Sequence, residues 1–297
     1  GTPYADLKAI DLLTHQAGLT PWIAFYKRTM ENGLLNPDIY SASNKGFYST
    51  EVADRIFIKQ DYWKTMLKLI VETPLTGKKS YEYSDLSYYF FNKYIETTSG
   101  MGQNEFVEKE IYQPLGLQTM TYLPLQKFDK KRIVPTEYDK VFRKQLIHGY
   151  VHDPGAAMMG GVAGHAGLFS NATDLAALMQ FLLNKGQIGD QSIIQKEIVD
   201  QFTSCQFCPG NRRGIGFDKP TVSLKNGPTC DLVSPATFGH SGFTGTITWA
   251  DPENKVNFVF LSNRVYPDAE NWKITKMSVR TEIQRVIYEA LFEARQK

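Results

Sequence analysis

The sequence changes character near residue 205, and that change limits the folds open to it. Before it, apolar residues recur at helical spacing in one segment after another; beyond it come short extended runs and then one long amphipathic stretch. Residues 5–18 (ADLKAIDLLTHQAG) predict a helix with Gly18 placed to cap its end, and 61–73 a second, stopped by Pro74. Residues 84–100 open on the capping residues Ser84 and Asp85 and close on Gly100, 104–112 end before Pro114, and 171–186 run from Asn171 as N-cap to Gly186. After the break, 213–217 (RGIGF), 237–250 (TFGHSGFTGTITWA) and 255–263 (KVNFVFLSN) read as strands. The turn at 251–254 (DPEN) makes the last two an antiparallel hairpin. Residues 276–296 predict a final helix with Val279, Ile283, Val286, Ile287 and Leu291 on one face, closing over the sheet. The fold class is therefore α+β: a mainly helical region, 1–205, beside antiparallel strands with a packed C-terminal helix, 206–297, within one structural domain. So small a sheet leaves a face that wants further partners.

With 297 residues the chain can bury a real core, and 42% hydrophobic against 22% charged residues is the balance of a globular domain. A net charge of +2 with dispersed basic residues gives no footprint for nucleic acid. No apolar run approaches the ~18 residues of a membrane span. Cys205, Cys208 and Cys230 are the only cysteines, and the Cys-x-x-Cys pair is open to three readings: half a metal site, a redox pair or a local disulfide.

Five local signals follow one another along the chain. LLTHQAGL (12–19) ends a helix in a Gly-bearing turn. Tyr83-Ser84-Asp85 puts a phenol directly before a helix, where backbone N–H groups favour its phenolate. PLGLQTMTY (114–122) is third, and the glycine-rich VHDPGAAMMGGVAGHAGLFSNATDLA (151–176) is fourth. The fifth is His240-Ser241-Gly242 on a strand.

In order and wording these resemble the penicillin-recognising serine hydrolases: class C β-lactamases, D,D-peptidases and related esterases. The resemblance implies a β-lactamase/transpeptidase-like fold in which three motifs meet between a helical region and a sheet. Tyr83-Ser84-Asp85 matches the Tyr-x-Asn motif with Asp in place of Asn, and His240-Ser241-Gly242 matches Lys-Thr-Gly in its histidine form. It assigns catalysis to Tyr83, which shuttles a proton and needs a pKa well below the usual ~10, and to His240, a partly or fully charged donor beside it. Asp85, Ser241, Gly242 and Phe243 contact substrate: Asp85 orients Tyr83 or meets a substrate amide, Ser241 hydrogen-bonds, and Gly242 allows close approach. The Phe243 N–H is one of two oxyanion donors. No cofactor and no metal are implied. The Asp85 carboxylate opposes a tyrosinate, and with His240 it favours an esterase or peptidase over a resistance β-lactamase.

The family's third motif, Ser-x-x-Lys, is absent: no serine of this chain has a lysine three positions on. In the family it lies upstream of the LLTH-type helix. The expectation is thus an N-terminally truncated piece, lacking the first strands and the nucleophile helix, and inactive alone. Its partners are then the missing upstream segment, a small-molecule or peptidoglycan-like acyl substrate, and a second copy meeting it through the vacated groove. Two rival functions remain: a non-catalytic binding module of the same fold, and a metallohydrolase built on His148, His152 and Asp153. Attachment behind a family 3 glycoside hydrolase (a β-N-acetylglucosaminidase type) and a bacterial periplasmic or surface location complete what the resemblance implies.

Overall fold

A computed structural model of the chain describes residues 2–77, 79–223 and 227–297. A short helix α1 (Ala9–Leu13) leads into a three-stranded antiparallel sheet of Tyr40–Ser41, Tyr48–Ala53 and Ile56–Lys59, the last strand central. Then come α2 (Tyr62–Glu72), α3 (Leu86–Ser99) and α4 (Gln103–Val107), which runs on as a wider turn over Glu108–Tyr112. A hairpin of Pro135–Asp139 and Gln145–His148 precedes α5 (Pro154–Met158), α6 (Ala172–Leu183) and α7 (Lys196–Thr203). The C-terminal sheet has Phe238–Ser241, Ile247–Asp251 and Val256–Phe260 in sequential antiparallel order, followed by α8 (Lys273–Lys276) and α9 (Val279–Gln296).

The caps at Asn171 and Gly100 follow their sequence signals, whereas Asp85 at the N-cap of α3 makes no side-chain cap hydrogen bond. Asn171 Oδ1 accepts the Asp174 N–H at 2.9 Å, and Gly100 ends α3 with φ +71°. The first helix is much shorter than the predicted 5–18. Thr14 turns its hydroxyl back on the Ile10 carbonyl (2.7 Å), and His15 takes a left-handed φ of +58°, so the helix stops well before Gly18.

The expected strand 213–217 is instead a turn. Gly214 N–H bonds Phe217 O within the segment, Gly216 has φ +77°, and its N–H goes to Leu13 O. The single expected strand 237–250 is two strands. Gly242 N–H bonds Thr246 O at 2.8 Å and Gly245 N–H bonds Gly242 O at 3.0 Å, closing a tight turn over 242–246. The register Phe238↔Ala250, His240↔Thr248 then pairs the two halves. A side chain at Gly239 would overlap the Thr248 carbonyl and the Trp249 ring, so the motif strand can lie close to its neighbour only with glycine there.

Strand alternation sorts the sheet into two faces. Phe238 and Ala250 pack against Met179 of α6, and His240, two residues from Phe238, points to that same side, toward the helical region. The other face carries Trp249 and Phe258, and Asp251 meets Tyr288 of α9 (2.8 Å). The register of α9 is not the expected one. Gln284 and Tyr288 are its buried residues, while Ile283, Val286 and Ile287 project outward, 39%, 62% and 41% exposed. Buried hydrogen bonds, Tyr288 to Asp251 and Cys230 N–H to Gln284, set the side of the helix that faces the sheet. A buried lysine steadies the approach to the motif strand: the Lys219 ammonium sits on the carbonyls of Thr203, Ala236 and Thr237 at 2.9–3.2 Å.

Candidate active site

The first half of the site is built by a serine that points inward. Ser84 is buried; its N–H bonds His15 Nδ1 (3.2 Å), and its hydroxyl donates to Thr20 O (2.7 Å) and accepts from Leu86 N–H (3.2 Å). Pinning Ser84 turns its neighbours Tyr83 and Asp85 the other way, in front of α3. The His15 imidazole lies on the Tyr83 ring, centroids 4.3 Å apart. Tyr83 and Asp85 lie close enough that the phenol and the carboxylate each shift the other's acidity.

The second half is the end of the motif strand and the turn after it. Ser241 is exposed on the last strand position. A Cβ on Gly242 would overlap the Thr246 hydroxyl, so a side chain there would force Thr246 to turn away. Phe243 is 56% exposed, with its ring stacked on His152 (5.0 Å) and edge-on to Trp272 (5.5 Å). The Arg264 guanidinium lies 4.4 Å from the Phe243 ring and 3.6 Å from that of Trp272. Among the described residues the Phe243 N–H has no hydrogen-bond partner, as an oxyanion donor requires.

The two halves meet: the Tyr83 and His240 ring centroids are 6.1 Å apart. What joins them is Arg213, a residue sequence reasoning missed. It is 4% exposed, lies 5.1 Å over the Tyr83 ring, and donates to His240 Nε2 (3.0 Å) and to the Tyr81 hydroxyl (2.9 Å). A guanidinium can only donate, so His240 Nε2 is the acceptor and the imidazole proton sits on Nδ1, which donates to Ser241 O (2.8 Å). Asp218 balances the charge, holding Arg212 through two contacts (2.8 and 3.0 Å) and lying 3.5 Å from Arg213 Nε.

These contacts correct two expectations. Burial, and then the Arg213 cation, lower the His240 pKa below its ordinary value, so the motif histidine is neutral at neutral pH and the positive charge of the site resides on Arg213. Tyr83 moves opposite to what a phenolate needs: burial first and the Asp85 carboxylate second raise its pKa, outweighing Arg213. Asp85 is itself raised by burial. His15 is pushed down to about 3 by burial and Arg213, and stays neutral.

The residues of the metallohydrolase alternative have other employment. His148 Nε2 bonds Ile133 O at 2.6 Å, His152 supports Phe243, and Asp153 caps α5 at Ala156 N–H (2.7 Å) and holds His165 Nε2 (2.9 Å). Cys205 and Cys208 form a disulfide, the third of the open readings, and Cys230 is buried and free. Arg213 left a faint signal in sequence, since it stands directly before the GIGF turn that drives its backbone against α1. A lone arginine beside another reads as solvated charge.

A Tyr-x-Asp before a helix, facing a His-Ser-Gly strand end across one cleft, defines the penicillin-recognising class of serine hydrolases on a β-lactamase/transpeptidase-like fold. A family model described as Beta-lactamase matches residues 3–277, and the chain belongs to that family. It is 37% identical over 232 residues to a "Putative D-alanyl-D-alanine carboxypeptidase" of Escherichia coli (strain K12), covering 73% of this chain and 53% of that protein. A protein of the same description from Salmonella enteritidis PT4 is 38% identical over 240 residues, covering 75% and 54%. The chain thus spans about half the length of the curated relatives it matches. In fold it is similar to simvastatin synthase (LovD) from Aspergillus terreus, with TM-score 0.59, 16% identity, and 94% and 67% of the two chains covered. It is likewise similar to a penicillin binding protein from Bacillus halodurans, with TM-score 0.57, 12% identity, and 93% and 75% covered.

Proposed function

We propose that this chain supplies the proton-transfer and oxyanion side of a serine acyl hydrolase of the esterase or D,D-peptidase type. The nucleophilic serine and its lysine come from residues outside these 297. The observation that carries the reading is the convergence of Tyr83 and His240 on one buried guanidinium, Arg213, with Asp85 beside the first on the chain and the unpartnered Phe243 N–H just beyond the second. In the reaction, a serine oxygen attacks the acyl carbonyl and passes its proton to its own base. The Phe243 N–H steadies the oxyanion, and Tyr83 gives its proton to the leaving amine or alcohol as the carbonyl re-forms. A phenol kept protonated by burial and by Asp85 is suited to that donation rather than to the first abstraction.

His240 acts as organiser: with Nε2 bound to Arg213 and Nδ1 to Ser241 O, it fixes the strand end and the cation together. The exposed Ser241 and the Arg213 charge favour a substrate with a carboxylate near the scissile bond, such as the peptide of a peptidoglycan-like polymer. Supporting the periplasmic or surface location such a substrate requires, Cys205–Cys208 is a disulfide of the kind that persists in oxidising compartments.

The test is acylation read by intact mass, with a fluorescent penicillin and a fluorophosphonate. The 297-residue chain alone gains no adduct. Joined to the residues its gene encodes before it, it gains one on the serine of a Ser-x-x-Lys. An adduct on Ser84 or Ser241 of the chain alone refutes the assignment. A longer protein with no such motif and no adduct points to the binding module instead.

A further inference from the structure

The helical region carries a second concavity that shares no lining residue with the Tyr83–His240 cleft. It is an open-mouthed pocket of about 460 Å³ between the small sheet (Thr50, Val52, Phe57), the 123–126 turn and the glycine-rich loop. That volume lies in the range of small-ligand pockets, roughly 300–1,000 Å³.

Its chemistry narrows the ligand. Asn44, Gln126 and Thr50 line it, and their side chains make no hydrogen bond to another described residue. Glu51 accepts the Tyr150 phenol through Oε1 (2.8 Å) and leaves Oε2 unspent. No lysine or arginine lines the pocket among the described residues, so an anion would meet a carboxylate with no compensating cation. An ammonium would satisfy Glu51 but leave the amide N–H groups with nothing to donate to. A ligand with several hydroxyls, each both donor and acceptor, satisfies the whole set. Phe57, Phe169 and Met159 offer apolar surface to the C–H faces such a ring presents.

Two adjacent lining positions carry no side chain. Gly160 and Gly161 have φ +83° and +84°, and a Cβ there would stand 3.2 Å from Thr50 Cγ2 and 2.9 Å from Leu123 Cδ2, respectively. A side chain at either position would be strained by the positive φ and would crowd a residue of the lining.

We propose that this pocket binds an uncharged pyranose of one or two rings. It adjoins the cleft through the chain itself: Val151 lines the pocket, and the next residue, His152, stacks on Phe243. The binding does not depend on the acyl-transfer reading and can be measured without any chemistry.

The test is titration of the ¹⁵N-labelled 297-residue chain with N-acetylglucosamine, its β-1,4-linked dimer and maltose, with choline and inorganic phosphate as charged probes. At least one sugar gives saturable shifts at the amides of Thr50, Glu51, Gly160 and Gly161. Glu51→Gln and Gln126→Ala, both at exposed positions, each weaken it by roughly two- to tenfold, the loss of one net hydrogen bond, with the rest of the spectrum unchanged. Thr50→Tyr, which fills the pocket, abolishes it. The proposal is overturned by the absence of saturable shifts with all three sugars, by shifts that gather at Tyr83, Asp85 and His240, or by tighter saturation of these amides with choline or phosphate.

Discussion

Asp251 offers the sharpest test of how the C-terminal sheet is held. It is fully buried at the end of the central strand, and all its partners donate: Ser234 N–H (2.9 Å) and hydroxyl (2.6 Å), Tyr288 hydroxyl (2.8 Å), Asn254 side chain (2.9 Å) and two turn N–H groups. Despite burial, those hydrogen bonds hold its carboxyl at about 2, against 3.8 ordinarily. At ~1.4 kcal/mol per pH unit, that difference is about 2 kcal/mol of folding stability. The folded pKa is the lower one, so the contribution is complete above about pH 4 and is lost as pH falls through about 2. Asp251→Asn removes it and also turns an NH₂ toward a donor, leaving one buried polar group unpaired at a further ~1–3 kcal/mol. Urea unfolding at pH 7 is expected to show the variant about 3–5 kcal/mol less stable. Repeated at pH 5, 3 and 2.5, the gap should narrow toward ~1–3 kcal/mol. A gap that stays constant across that range refutes the claim that an ionised Asp251 ties the strand to α9.

Three further outcomes follow from the site and its supports. Arg213→Met should raise the His240 pKa and free its Nε2, read from ¹⁵N shifts of the imidazole across pH; an unchanged titration means the guanidinium does not set its state. Asp85→Asn should lower the Tyr83 pKa, since it removes the second-largest cause raising it, and ζ-¹³C-tyrosine NMR reports the change directly. Gly155→Ala pushes a methyl into the Tyr89 hydroxyl inside the core and should lower unfolding free energy by about 1–3 kcal/mol in a denaturant melt; a neutral result would show that Tyr89 can yield.

The parts of the fold legible in sequence were those set by local rules. Asn171, Gly100 and the turn after Asp251 do in the structure what their types predict, because caps and turns are decided within a few residues. The segment 213–217 misled because Ile215 and Phe217 alternate with glycines as a strand would, while a long-range bond from Gly216 to Leu13 decides the backbone. The face of α9 was misjudged for a related reason. Its aliphatic stripe is regular, but the buried partners that fix its rotation, Asp251 and the Cys230 amide, are distant in sequence and polar. Motif picked out Tyr83 and His240, which the structure brings together, whereas their protonation was not legible: it depends on burial and on Arg213, 27 residues from the histidine it engages.

The clasp on His240 also governs how the residue meets reagents. An imidazole attacks an electrophile, or binds a soft metal, through a free ring lone pair. Here the lone pair on Nε2 is turned into a guanidinium and the other nitrogen carries its proton into a carbonyl. To acylating dyes and chelated nickel alike, this histidine should be as inert as an asparagine, and its motif contributes shape to the cleft rather than a base.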